Sequence, residues 1–109
     1  MTPSEQLAIR LKQARIEAGL SQRQVGIKAG IVADTAKNRV SHYETRVSVP
    51  PLDTLKQLAE ALDKPLAWFF ASEDEQHLLS SLYSAPSERR AELVVLIQKL
   101  LENQLTETR

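Results

Sequence analysis

Between residues 34 and 46 the chain carries Lys37, Asn38, Arg39, Ser41, His42 and Arg46: an amide, a hydroxyl, an imidazole and three cations. On a helix, with Ala36, Val40 and Tyr43 turned inward, steps of roughly 100° per residue place Asp34, Asn38, Ser41, His42 and Thr45 on the opposite face. Lys37 and Glu44 then flank one side, and Arg39 and Arg46 the other. Such groups suit hydrogen bonding to base edges: Asn38 matches adenine N6 and N7, Lys37 can donate to guanine O6 and N7, and Ser41 and His42 can each give one contact. The same groups serve catalysis poorly. Ser41 and His42 lie roughly 100° apart on a helix, bad geometry for a nucleophile and its base, and the chain has no glycine-rich phosphate loop and no cysteine. The only other histidine, His77, lies in a distant segment, so no metal site is expected. No enzyme activity and no cofactor are expected.

The surrounding sequence must hold that helix outward. Ser21 is an N-cap, which starts a helix at Gln22, and Gly30 ends it by permitting a left-handed reversal. This second helix, about 22–29, buries Val25 and Ala29 and presents Gly26 where a neighbour can approach. Asp34 is the expected cap of the third helix, which runs to about Thr45 or Arg46. Before them, Ser4 is expected to cap a first helix reaching Ala18, with Leu7, Leu11 and Ala14 as its buried stripe and Gly19 as its stop. Pro50 and Pro51 mark a loop. Leu52, Leu55, Leu58, Ala59 and Leu62 then give an amphipathic helix closing near Asp63. Pro65 opens a short fifth helix whose Leu66, Trp68, Phe69 and Phe70 are expected in the core. Composition changes at residues 72–75. Leu78, Leu79, Leu82 and Tyr83 mark a sixth helix, and after Pro86 a last one spans about 88–104. The fold class predicted is all-α, with residues 1–71 as one unit and 72–109 as a C-terminal extension.

A chain of 109 residues, five percent aromatic and with three glycines, allows one domain or a small domain with a helical appendage. Net charge is zero, but residues 1–71 hold ten Lys/Arg against seven Asp/Glu, whereas residues 72–109 hold four against seven. Across 21–50 the cations Arg23, Lys28, Lys37, Arg39 and Arg46 face only Asp34 and Glu44, a local excess suited to phosphate. The absence of cysteine removes disulfides and fits a reducing, cytoplasmic setting. The apolar run Leu93 to Ile97 is too short to cross a bilayer, so no membrane role is expected.

Taken together, Leu20-Ser21-Gln22, Val25-Gly26, Gly30-Ile31, Val40-Ser41-His42-Tyr43-Glu44, Pro50 and Leu52-Asp53-Thr54-Leu55 through Leu62 resemble the Cro and phage-repressor helix-turn-helix family, the XRE-like regulators. The similarity covers about residues 5–70 and implies a five-helix, lambda-repressor-like domain that binds double-stranded DNA. It puts Gln22 on a phosphate, with Arg23 beside it, and pairs Arg15 with Glu44 as a structural ion pair. It assigns Lys37, Asn38, Ser41 and His42 to bases and Arg39 and Arg46 to the DNA backbone. Between Gly30-Ile31 and Tyr43-Glu44 the chain holds about four residues more than the family spacing, roughly one added helical turn. That insertion is expected to bring Asp34 and Thr35 toward the groove. Pro51 and Pro65 stand where the family has capping residues and are expected to serve as first-turn prolines.

Leu93, Val94, Val95, Leu96, Ile97, Leu100, Leu101 and Leu105 cover more than half the circumference of the last helix, beyond the stripe of about 100° that one companion buries. A homodimer is expected, with Leu93, Val94, Leu96, Ile97, Leu100, Leu101 and Leu105 at its interface. Two recognition helices related by a twofold axis would read half-sites about 34 Å apart. The competing arrangement folds this helix back on the fifth and sixth. The function expected is a nucleoid-associated transcriptional regulator, a repressor on a partly palindromic operator. The alternative is an antitoxin or interaction module with a toxin or antirepressor as partner.

Overall fold

In a computed structural model, the structure describes the backbone of residues 1–107 and the side chains of residues 1–102. Six α-helices follow in order: α1 (Pro3–Glu17), α2 (Gln22–Lys28), α3 (Ala33–Glu44), α4 (Leu52–Ala61), α5 (Glu73–Ser84) and α6 (Ser87–Glu107), with a 3-10 helix, Leu66–Phe70, between α4 and α5. Among the described residues there is no strand, as the helix-favouring composition predicts.

Three helix starts rest on the same reciprocal device. Thr2, Ser21 and Ser72 each accept a hydrogen bond from a backbone N–H three residues on, while Glu5, Gln24 and Glu75 reach back to the cap's own N–H. The cap of α1 is therefore Thr2 and not Ser4. Thr2-Pro3-Ser4-Glu5 places a proline at the first helical position, where its missing N–H costs nothing, and a glutamate at the third. Asp34 does not cap α3 either. Val32 occupies that position without a side-chain bond, and Asp34 lies in the first turn, where its charge favours the positive helix end. Pro51 and Pro65 likewise stand one residue earlier than expected, at the N-cap of α4 and of the 3-10 helix, where extended backbone suits them.

Helix ends follow the left-handed rule. Gly19 (φ 70°) and Gly30 (φ 91°) terminate α1 and α2, and after Gly30 the Ile31 N–H returns to the Gly26 carbonyl at 2.9 Å. Arg46 (φ 65°) does the same after α3, with the Val47 N–H on the His42 carbonyl at 2.9 Å. Arg46 thus lies beyond the helix, although its sequence position suggests a last turn.

Leu11, Val25, Val40, Leu58 and Phe69 are the largest fully enclosed side chains, one from each of α1 to α4 and one from the 3-10 helix. Each such side chain contributes about 1.5–3 kcal/mol on burial. Trp68 meets Phe69 edge-on at 5.2 Å, and Arg10 and Lys64 lie over the Trp68 ring at 6.0 and 4.8 Å. Phe70, expected in the core, is instead 45% exposed. In a 3-10 helix of three residues per turn, consecutive aromatics cannot all point one way.

The extension is anchored at its near end. Buried Gln76 of α5 donates to the Trp68 carbonyl at 3.2 Å, and Gln6 of α1 donates to the Ala71 carbonyl at 3.1 Å. Beyond Pro86, α6 packs mainly on α5. The radius of gyration is 16.6 Å, against about 13 Å for a compact chain of this length, and the long axis is 56 Å. The last helix is an arm that projects from the body.

Candidate nucleic-acid interface

At the corner between them, α2 and α3 approach closely. A Cβ placed on Gly26 would lie 2.8 Å from the Ala36 Cβ, so only glycine lets α3 settle this deeply against α2. Ala36, Val40 and Tyr43 fill the underside of α3 as expected. Their burial fixes the opposite face outward. Asp34, Thr35, Lys37, Asn38, Arg39 and His42 are exposed, and Ser41 is half-buried.

At its far end α3 is tied to α1. Arg15 grips Glu44 with two bonds, Nε to Oε2 at 2.6 Å and an Nη to Oε1 at 2.9 Å, while its other Nη donates to the Leu20 carbonyl at 3.0 Å. The Glu44 side chain is only 2% exposed and that of Arg15 13%, so this bidentate pair is shielded from water. The hydrogen bond to Glu44 raises the Arg15 pKa above its ordinary value against the opposing effect of burial. The pair predicted on the family pattern is thus present, and Glu44 is occupied in holding the corner.

The predicted DNA-facing residues divide by what already holds them. The side chains of Lys37, Asn38 and His42 make no hydrogen bond among the described residues, so their polar groups are free for a partner. Gln22 is different. Its amide nitrogen donates to Glu44 Oε1 at 3.2 Å, which orients the side chain and leaves one N–H unused. Arg39 donates to the Tyr43 hydroxyl at 2.9 Å, and Arg46 pairs with Glu5 at 3.0 Å on the surface. Thr35 turns its hydroxyl to the Val32 carbonyl at 3.3 Å, a local bond at the start of the helix. Gln22, Arg23 and Lys37 meet around one shallow hollow with Arg15 and Ser21. Cations from three elements therefore border the outer face of α3 on one side, with Arg46 at its other end.

One exposed group at this surface is absent from the sequence expectation. Val32, 70% exposed, leads α3 into solvent. Its signal was the longer spacing ahead of Tyr43-Glu44: the added residues lengthen α3 at its start, and the apolar residue before that turn is left outside the core. The expected arm face is also open. Val94, Leu96, Leu100 and Leu101 are each 41% to 59% exposed, while Leu93 and Ile97 are half-buried. Leu105 lies outside the described side chains. No group of metal-ligating residues occurs among the described residues, and no helix there is long and apolar enough to cross a membrane.

A helix-turn-helix family model matches residues 11–69, which spans α2 and α3 with most of the body around them. The crystal structure of the transcriptional regulator BswR is similar over 89% of this chain and 97% of that one, with 38% sequence identity and a TM-score of 0.72. The similarity therefore extends past the body into the arm. No curated protein matches the chain.

Proposed function

For a chain that belongs to the helix-turn-helix family and is a DNA-binding transcriptional regulator, we propose that it acts as a homodimeric repressor on a partly palindromic operator. The observation that carries this reading is the free outer face of α3, with Lys37, Asn38 and His42 uncommitted above a buried Ala36, Val40 and Tyr43. Asn38 reads an adenine and Lys37 a guanine, and Ser41 and His42 add single contacts. Thr35 lies toward the groove, and Gln22, Arg23, Arg39 and Arg46 bear on the phosphates, which fix register without choosing sequence. The acidic arm stays clear of the duplex. Residues 1–71 form the DNA-binding unit and 72–109 the dimerisation segment.

The exposed apolar face of α6 supports the pairing. Val94, Leu96, Leu100 and Leu101 are each 41% to 59% exposed, and a second α6 offers the same composition in return. The same face favours a second reading, a protein partner such as a toxin or antirepressor. Mass measurement on the purified chain separates them, since a dimer forms without any other protein.

Selection of bound sites from random duplex DNA tests the main reading. Two half-sites about 34 Å apart are expected, and Asn38→Ala should cost about 1–3 kcal/mol and relax one base position per half-site. With about eight phosphates neutralised per dimer, log K should fall against log salt with a slope near −7. Absence of any enriched site, or a flat salt response, would overturn the proposal.

A further inference from the structure

The elbow between α5 and α6 is stapled by one side chain. Arg90 donates from Nε to the Leu82 carbonyl at 3.1 Å, and from one Nη to the carbonyls of Tyr83 at 2.9 Å and Ala85 at 3.3 Å. Its guanidinium also lies 5.3 Å over the Tyr83 ring. The last carbonyls of a helix have no partner within it, so a residue of the next helix completing three acceptors at this end couples the two helix axes. Pro86 removes the donor that would continue α5, and its carbonyl accepts the Arg90 N–H at 2.8 Å. At its other end α5 is held to the body by Gln76 on the Trp68 carbonyl. A continuous series of contacts therefore runs from the DNA-binding body through α5 to the base of the arm.

Resting on the homodimer reading above, we infer that Arg90 is a positioning residue for operator spacing: it fixes the angle of the arm, and so the distance and rotation between the two recognition helices of the dimer. Each base pair inserted between half-sites moves them by about 3.4 Å and turns them by about 34° around the duplex. A rigid elbow cannot follow that rotation, whereas a loose one can. Arg90 lies far from the α3 face and touches no proposed base or phosphate contact. Its loss changes how two half-sites are combined and leaves each half-site contact intact.

The test measures affinity of the full-length protein for palindromes whose half-site separation is varied in single base-pair steps, alongside a duplex with one half-site. Wild type should bind best at one separation and lose about hundredfold when the halves are displaced by about five base pairs, because simultaneous engagement is then forbidden. Arg90→Ala should keep the dimer mass and the single half-site affinity, yet narrow that loss to within about tenfold. An Arg90→Ala dimer with the wild-type spacing profile overturns the inference, as does a variant that becomes monomeric. Should Arg90→Ala fail to fold, Arg90→Lys and Tyr83→Leu decide by the same criteria, since each weakens the staple with less loss of packing. A wild-type dimer indifferent to spacing overturns this inference alone. A wild-type monomer overturns the homodimer reading and this inference with it.

Discussion

The body and the arm differ in where their apolar side chains find company. In the body, α1 to α4 and the 3-10 helix each send a fully enclosed residue into one core, and the shielded Arg15–Glu44 pair ties α3 to α1. In the arm, a longer helix than any in the body leaves Val94, Val95, Leu96, Leu100 and Leu101 41% to 59% exposed. The body is complete within one chain. The arm leaves much of its apolar surface in water, the feature on which the proposed pairing rests.

The contrast breaks first in the body. Phe69→Ala should cost about 3–5 kcal/mol, since it empties an enclosed site contacted from several helices, and thermal unfolding should show a large fall in midpoint. An effect below about 1 kcal/mol would mean that the core tolerates voids and that the body is less closed than described. Next, Glu44→Ala should cost about 3 kcal/mol, because the Arg15 guanidinium is left charged and shielded without its partner. Denaturant unfolding measures this, and rescue by the double variant with Arg15→Met would assign the loss to the stranded charge. In the arm, Leu96→Asp with Leu100→Asp should change unfolding of the body by less than about 0.5 kcal/mol, as surface changes usually do. The same pair should convert a dimer to a monomer in sedimentation and lower operator affinity about hundredfold through lost avidity. If that variant unfolds the body instead, the arm belongs to the core.

Legibility in the sequence tracked how many constraints acted at a position. Ser21 and Gly30 act through local backbone chemistry and the Ala36–Val40–Tyr43 stripe through helical spacing and burial, and the second helix, its corner and the faces of the third follow from them. Gly26 was also readable, because a residue without a side chain on a packed face implies close approach. Where two residues competed for one role, the sequence favoured the wrong one. Ser4 and Thr2 can both cap, and the deciding features were Pro3 and Glu5, which fit only a start at Thr2. Asp34 is a better cap than Val32 by chemistry alone, yet burial of Ala36 against Gly26 sets the register of α3 and brings its start forward. Gln22 illustrates a third limit. Its place beside the corner was foreseeable, but its bond to Glu44 arises from two segments 22 residues apart, a distance that no local pattern encodes.

At the end of α3, Arg46 holds a left-handed backbone (φ 65°) that L-residues other than asparagine and aspartate seldom adopt, at a cost of about 1–2 kcal/mol. A glycine there would remove that cost and give a tougher protein. Its exposed ion pair with Glu5 recovers little of the difference, since pairs in water are worth under about 1 kcal/mol. On the function proposed above, the long cation at the rim of the α3 face offsets that loss by binding phosphate, and Arg46→Gly should yield a variant that melts later but clings less to duplexes of every sequence.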